Sequence, residues 1–193
     1  RHALYQGNAT RLCKEFAEFS EFKVATTNSI GTNRMMDREF VLRFVAVCYY
    51  GIDKYEGNPD NYLNGAMEYL NSQECVDKGE MERRFKGVMV ASERIMGRYA
   101  FRKLGENGMR RPINKAIYEA WCQNLFVLVD SEWDVLEQKK DKVYDYFMNL
   151  CHDGGFLQAI KSSDKKTSPR PAKHKKIVFD FSDLTIIEPK IPI

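Results

Sequence analysis

Apolar residues recur along this chain with the three- and four-residue spacing of amphipathic helices. The longest such pattern covers about residues 36–56 and presents a broad apolar face, so it predicts the central helix of the core. Gly57 ends the pattern, Asn58 is a good N-cap, and Pro59 suits the first position of a following helix. We expect these two helices to pack as an antiparallel pair.

The other helical patterns follow at short intervals. A helix from Asn8, which is placed to cap it, carries an apolar stripe to Phe19, and Ser20 begins a brief further turn. Turn-forming residues predict loops at 26–33 and 102–112, with Pro112 placed where the next helix starts. The remaining predicted helices are 77–98, 113–129, a short one capped by Ser131, 139–151 and 153–160. The predicted fold class is therefore an all-α, multi-helix orthogonal or antiparallel bundle.

The composition changes after Ser162. Residues 163–176 are polar, basic and interrupted by prolines, which predicts a linker, and residues 177–193 are rich in β-branched and aromatic residues, which predicts a short extended tail. Residues 1–162 then form one helical domain. Because the chain opens on Arg1 with a segment typical of a helix end, we expect its N-terminus to be a cut within a larger protein.

Charge is distributed unevenly among these three segments. The formal net charge is +3, but residues 1–162 hold 23 basic and 23 acidic side chains, 163–176 carry +5 and 177–193 carry −2. A neutral body lacks the overall field that draws in nucleic acid, so any DNA contact is expected at a local patch. No apolar run is long enough for a membrane span.

The cysteines argue against a disulfide framework or a zinc site. There are five of them, widely spaced, with no CxxC pair and no histidine at ligand spacing. Most lie within helical apolar patterns, where a free thiol packs as a small hydrophobe. A reducing cytoplasm is the expected location. The cysteines are Cys13, Cys48, Cys75, Cys122 and Cys151.

The sequence contains no recognisable catalytic motif. Phosphate-loop, dinucleotide, zinc-protease and nucleophile-elbow patterns are all missing from it. His2, His152 and His174 lie at the start of the chain, at a predicted helix end and in the basic linker, where solvated or capping roles are usual. We therefore predict no catalytic residue, no metal site and no cofactor within this chain.

Two charged segments are candidates for binding phosphate. In NRMMDREFVLR, Asp37 and Glu39 lie at a helix start with Arg34 and Arg43, which suits either ordinary helix stabilisation or a ligand site. In FRKLGENGMRRPINKA, cations surround a glycine-containing loop and a helix start, which suits either a solvated, ion-pairing surface or a phosphate site. The candidates for contacting nucleotide or DNA phosphate are Arg34, Arg43, Arg102, Arg110, Arg111, Asn114 and Lys115.

These segments carry a family resemblance. RHALYQG, NRMMDREFVLRFVAVCYYGIDKYEGNPDNYLNGAMEYLN, the AFR between Tyr99 and Lys103, RRPINKAIYEAW and GGFLQAI resemble the ParB-like domain of GmrSD-type systems, bacterial restriction enzymes directed against modified phage DNA. The stretches occur in family order over roughly residues 1–160, and the long middle one is the most specific.

The resemblance implies the helical C-terminal part of that domain. Its chemistry would reside in an upstream ParB-like core, with a nucleoside triphosphate and a divalent metal there, and an HNH nuclease module and DNA would be further partners. Neither that core's motif nor an HNH arrangement occurs in this sequence. The alternative is a non-catalytic dimerisation or protein-interaction module. If the helices normally cover another lobe, one apolar face should be exposed, with a homodimer as a possible result.

Overall fold

The described residues of the computed structural model, 7–72, 77–105 and 108–160, form an all-α bundle of nine helices. The predicted linker and tail lie outside them. The helices are α1 (Asn8–Ala17), α2 (Ser20–Ala25), α3 (Met36–Val45), α4 (Pro59–Asn71), α5 (Lys78–Met96), α6 (Lys115–Phe126), α7 (Asp130–Gln138), α8 (Lys140–Leu150) and α9 (Gly154–Ala159). Within these described ranges, the one extended pairing is an isolated bridge between Arg102 and Ile113.

Two helices organise the core. α3 packs against α1, α4 and α6, and α5 packs against α2, α6, α7 and α8. Phe85 of α5 lies at their meeting point, with its ring centroid 4.9 Å from Phe44 of α3 and 5.3 Å from Phe16 of α1. Farther along, the buried Trp121 of α6 packs on Phe147 of α8 with centroids 5.5 Å apart. α3 thus shares with α5 the central position predicted for it.

Side-chain caps begin several helices where their sequence indicates. The Asn58 side chain accepts hydrogen bonds from the amides of Asp60 and Asn61 at 2.9 and 3.2 Å, and Pro59 is the first helical residue, as predicted. Asp77 and Asp153 cap α5 and α9 in the same way. Each cap provides an acceptor for amides that have no partner within the helix.

The predicted end of the helix starting near residue 36 is wrong. α3 ends at Val45. A π-helical turn over Ala46–Tyr50 follows it, and the helical backbone stops at Gly51, whose φ of 105° favours glycine. The Ala46 carbonyl oxygen accepts hydrogen bonds from the Gly51 amide at 3.0 Å and the Tyr62 hydroxyl at 2.5 Å. The π-helical turn is therefore stabilised by a contact from α4, which the spacing of apolar residues could not predict.

Two predicted helix starts are also displaced. α6 begins at Lys115 rather than after Pro112, because Ile113 pairs with Arg102 and the Asn114 side chain accepts from the amides of Ala116 and Ile117 at 2.9 and 3.0 Å. α7 begins at Asp130 without a cap from Ser131. Its start is stabilised by the Val129 amide, which donates to the Glu132 carboxylate at 2.8 Å.

The start of α1 differs in another way. Asn8 is its first helical residue and does not cap it; Gly7 takes the N-cap position without a side-chain bond. Instead, Asn71 of α4 accepts a hydrogen bond from the Ala9 amide at 3.1 Å. A tertiary contact therefore satisfies an amide that we expected a local cap to satisfy.

Large apolar side chains that remain exposed are not collected on one helix. Among the described residues they fall in four places: α2, the turn into α3, the loop before α6, and the connection from α6 to α7. The two with the greatest exposure in the last place are Val127 and Val129, at 69% and 58%. The full set is Val24, Met35, Met36, Met109, Val127 and Val129.

Candidate functional site

The connection between α5 and α6 carries a group of exposed cations, which we call the basic loop: Arg98, Lys103, Arg110 and Arg111. None of the four forms an ion pair with a carboxylate of the described residues. Several cations on other elements do, among them Lys78, Arg83, Lys86 and Arg94. The basic loop is therefore a local positive surface on a helical body whose charges balance overall.

Backbone and tyrosine hydrogen bonds hold the basic loop in place. The Tyr99 hydroxyl donates to the carbonyl of Gly108 at 3.0 Å, and the Asn114 amide donates to the carbonyl of Phe101 at 3.0 Å. Phe101 is fully buried although its φ is 63°, a conformation that costs energy for a residue with a side chain. These contacts fix both ends of the loop against the helical core.

Arg102 differs from its neighbours because its guanidinium is buried. The residue is 2% exposed, and the guanidinium donates to the carbonyls of Arg111 and Thr26 at 2.6 and 3.1 Å and to the hydroxyl of Thr27 at 2.9 Å; the Ser29 hydroxyl is a further acceptor. Burial, together with the nearby charge of Arg110, lowers the Arg102 pKa. Arg102 thus joins loop 26–33 to the basic loop, and it is not available to a phosphate as the sequence suggested.

A cleft of about 690 Å³ opens beside the basic loop, against the ends of α8 and α9. Its charged lining comes from Lys103 and Arg111, and His152 is a further polar residue. Its aliphatic lining includes Leu104, Ile113 and Leu157. No aspartate or glutamate of the described residues lines it. A ligand of this cleft would therefore be an anion with an apolar portion.

Two other polar residues at the cleft are already engaged. The Asn114 side chain caps α6 through its oxygen and donates to the Ile160 carbonyl at 3.1 Å through its nitrogen. The Cys151 sulfur accepts from the Leu104 amide at 3.4 Å, and burial raises the pKa of its thiol. Asn114 therefore has a structural role here, and Cys151 stays in its unreactive, protonated form.

The other charged candidates meet in a separate ion-pair network made of Arg43, Glu39, Glu119 and Lys115. Arg43 donates to Glu39, with a shortest distance of 2.7 Å, and also pairs with Glu119. Lys115 contacts the same Glu39 oxygen at 2.8 Å. The charges and hydrogen bonds of this network thus join α3 to α6, and the i,i+4 pair expected between Glu39 and Arg43 is present.

Burial and neighbouring charges act in opposite directions on the groups in this network. Burial raises the pKa of Glu39, but the hydrogen bonds and charges of Lys115 and Arg43 outweigh it and leave that pKa below its usual 4.5. For Arg43, burial lowers the pKa, and the two carboxylates outweigh it and raise the pKa. Arg43 and Lys115 are thus both paired with protein carboxylates, so neither is free to bind a phosphate.

The remaining candidate, Arg34, lies in the short 3-10 turn Asn33–Met35 before α3. It is exposed, with a φ of 55°, and the following Met35 also has a positive φ, of 57°. Asp37 is buried, and its carboxylate accepts from the amide of Arg38 at 2.9 Å. Arg34 is therefore accessible to a ligand, whereas Asp37 serves the start of α3.

Sequence patterns missed part of the basic loop and part of the cleft. Arg98 of the basic loop was not among the candidates. The cleft residues Cys151, His152 and Leu157 lie forty or more positions after that loop. No local pattern connects these residues, because only the packing of α8 and α9 brings them to the cleft. The four described cysteines, Cys13, Cys48, Cys122 and Cys151, are free thiols, three of them buried and Cys48 half-buried.

No family model, curated protein or solved structure matches this chain. Among the described residues, no three His, Cys, Asp or Glu side chains are grouped as in a metal site. Over the same ranges, the helices are too short or too polar to cross a bilayer.

Proposed function

We propose that this chain is the helical lobe of a bacterial anti-phage restriction protein and contacts DNA phosphates through its basic loop. In this proposal, the lobe supports a ParB-like core, outside this chain, that handles a nucleoside triphosphate with a divalent metal and controls cleavage of modified DNA. The restriction context rests on the sequence resemblance. The phosphate contact rests on one observation, the four exposed cations that lack a carboxylate partner among the described residues.

The lack of a carboxylate partner for these cations among the described residues is what makes phosphate a suitable ligand. A lysine or arginine that already has a carboxylate partner must exchange that partner for phosphate, so its net gain is small. An unpaired surface cation loses only water and releases a counterion from the DNA. The basic loop therefore supplies binding free energy that the ion-pair network and the paired cations of α5 do not.

The test is binding of a fluorescent DNA duplex by the full chain at several salt concentrations. We expect replacing Arg110 and Arg111 with glutamine to weaken binding about tenfold or more and to reduce the salt dependence by roughly one phosphate contact for each arginine. A matched control replaces Arg83 and Lys86, which pair with Glu80 and Glu82 on α5, and removes the same charge. The control should bind DNA nearly as well as the unmodified chain.

Equal loss in both variants would show that only net charge matters and would contradict a role for the basic loop. The alternative function, a dimerisation or protein-interaction module, is favoured by the exposed valines Val127 and Val129 between α6 and α7. Concentration-dependent assembly in sedimentation experiments, with no binding of the duplex at low salt, would support that alternative instead.

A further inference from the structure

The cleft beside the basic loop brings two cations together. The bridge between Arg102 and Ile113 holds the two segments of the loop side by side, with Lys103 on the first segment and Arg111 on the second. The Arg111 side chain reaches across to the first segment, because a Cβ placed on Gly105 would lie 3.5 Å from its Nε. Lys103 and Arg111 both line the cleft, so their charges act on the same ligand.

Apolar side chains make up much of the remaining lining. Leu104, Ile113 and Leu157 contribute aliphatic surface, and Met109 also lines the cleft although 57% of it is exposed. No Phe, Tyr or Trp of the described residues is part of this lining. Without an aromatic platform, the cleft is poorly suited to stacking a nucleobase, and it suits a hydrocarbon chain, which the apolar surface would remove from water.

We infer that the cleft binds a small organic acid with an anionic head, a carboxylate or a phosphate, on a short aliphatic chain. The head accepts hydrogen bonds from Lys103 and Arg111, and the chain covers Leu157 and the exposed Met109. The cleft volume of about 690 Å³ is within the usual range for sites that enclose a small molecule. Neither cation has a carboxylate partner among the described residues, so the head displaces no described ion pair.

Such a ligand also regulates the DNA contact, a step that rests on the proposed function. Lys103 and Arg111 serve both ligands, so the acid and a DNA phosphate exclude each other at these two cations. Arg98 and Arg110 do not line the cleft and stay available to DNA. The bound acid therefore weakens DNA binding without abolishing it, and lowers its salt dependence by roughly two phosphate contacts.

Titration of the full chain with acetate, hexanoate and hexyl phosphate, followed by the methyl signals of the protein, tests the binding. We expect the signals of Ile113 and Leu157 to shift with hexanoate and hexyl phosphate, while those of Leu63 on α4 do not. Each methylene that is buried should raise the affinity about fourfold, so hexanoate should bind at least about tenfold more tightly than acetate. The head that binds more tightly, carboxylate or phosphate, identifies the kind of acid.

Two variants separate the contributions of head and chain. Replacing both Lys103 and Arg111 with glutamine, or Leu157 alone with glutamine, should weaken hexanoate binding about tenfold, as read from the Ile113 methyl signals. The matched control is Leu12→Gln on α1, which changes another half-buried leucine and should bind hexanoate normally. Equal affinity for acetate and hexanoate, or hexanoate binding that none of these changes weakens, would overturn the inference.

The effect on DNA is measured separately, with the fluorescent duplex in hexanoate or in acetate at equal ionic strength. Hexanoate should weaken DNA binding several-fold more than acetate does, and the Leu157→Gln variant should lose most of this difference. Methyl shifts with no effect on the duplex would overturn the competition and leave the acid site intact. A chain that binds hexanoate but no DNA at low salt would contradict the proposed function instead.

Discussion

The ion-pair network and the basic loop contain the same kinds of residue and have opposite surroundings. In the network, Glu39 and Glu119 take up the charges of Arg43 and Lys115 across the contact between α3 and α6. In the basic loop, no described carboxylate approaches the four cations. Residue type alone therefore does not separate a structural arginine from one available to a ligand; the position of a carboxylate elsewhere in the fold does.

Burial reinforces this contrast. The Arg43 side chain is 12% exposed, whereas Arg110 and Arg111 are exposed. A largely buried cation or carboxylate without its partner is costly, so removing one member of the network is expected to destabilise the fold. Surface cations contribute little to stability and remain free to exchange water for phosphate. The two regions should therefore respond to mutation in different measurements, one in stability and the other in binding.

Replacing Arg43 with alanine should give the largest effect on stability. The change leaves Glu39 and Glu119 close together without their shared cation, and we expect a loss of about 3 kcal/mol in the free energy of unfolding. Urea denaturation followed by circular dichroism measures this loss. The Arg110 and Arg111 double variant is the control and should unfold within about 0.5 kcal/mol of the unmodified chain. Similar losses in both variants would remove the distinction between the two regions.

Replacing Arg102 with alanine should have the next largest effect. It leaves the carbonyls of Thr26 and Arg111 without their buried donor, for a loss of about 2 kcal/mol. Because the guanidinium joins two loops, amide hydrogen exchange should become faster in residues 29–32 and 108–111 and remain slow in α5. Lysine at this position keeps the charge but not the fork of donors, so it should rescue little. Full rescue by lysine would mean that charge, not hydrogen bonding, holds the loops.

Local signals predicted much of the helical fold. Asn58 followed by Pro59 specifies the start of α4 through its own side-chain bonds, and the apolar spacing within α5 needs no distant information. The end of α3 could not be predicted in this way. The apolar pattern continues to Ile52, while Gly51 and the Tyr62 hydroxyl bond to Ala46 impose the π-helical turn. The spacing of apolar residues predicts which face of a helix is buried. It does not predict where a contact from another helix, here Tyr62 of α4, ends the α-helical turn.

The candidate site was predictable in the same partial way. The Glu39–Arg43 pair follows from a four-residue spacing, but Glu119, which completes the partnership, is 76 positions from Arg43. Arg102 and Arg111 look alike in the sequence, and only the packing of loop 26–33 buries the first and leaves the second exposed. Part of the cleft lining comes from the ends of α8 and α9, so His152 and Leu157 could not be assigned to the basic loop in advance.

The smallest predicted effect is a pH dependence confined to the ion-pair network. The Glu39 pKa is lower in the folded chain than its usual 4.5, so its ionised form stabilises the fold above that pH, and this contribution is lost as the pH falls through the folded-state pKa. Replacing Glu39 with glutamine should therefore cost under about 1 kcal/mol near neutral pH, and less as the solution is acidified.

Urea unfolding of the Glu39→Gln variant and the unmodified chain, compared from about pH 7 to about pH 3, isolates this residue because the other carboxylates titrate in both proteins. The Arg110 and Arg111 double variant should show no such convergence with the unmodified chain, since neither arginine has a carboxylate partner among the described residues. A stability difference for Glu39→Gln that stays constant with pH would mean that its ionised form is not what joins α3 to α6. The contrast between the network and the basic loop would then rest on shape and hydrogen bonding rather than on charge.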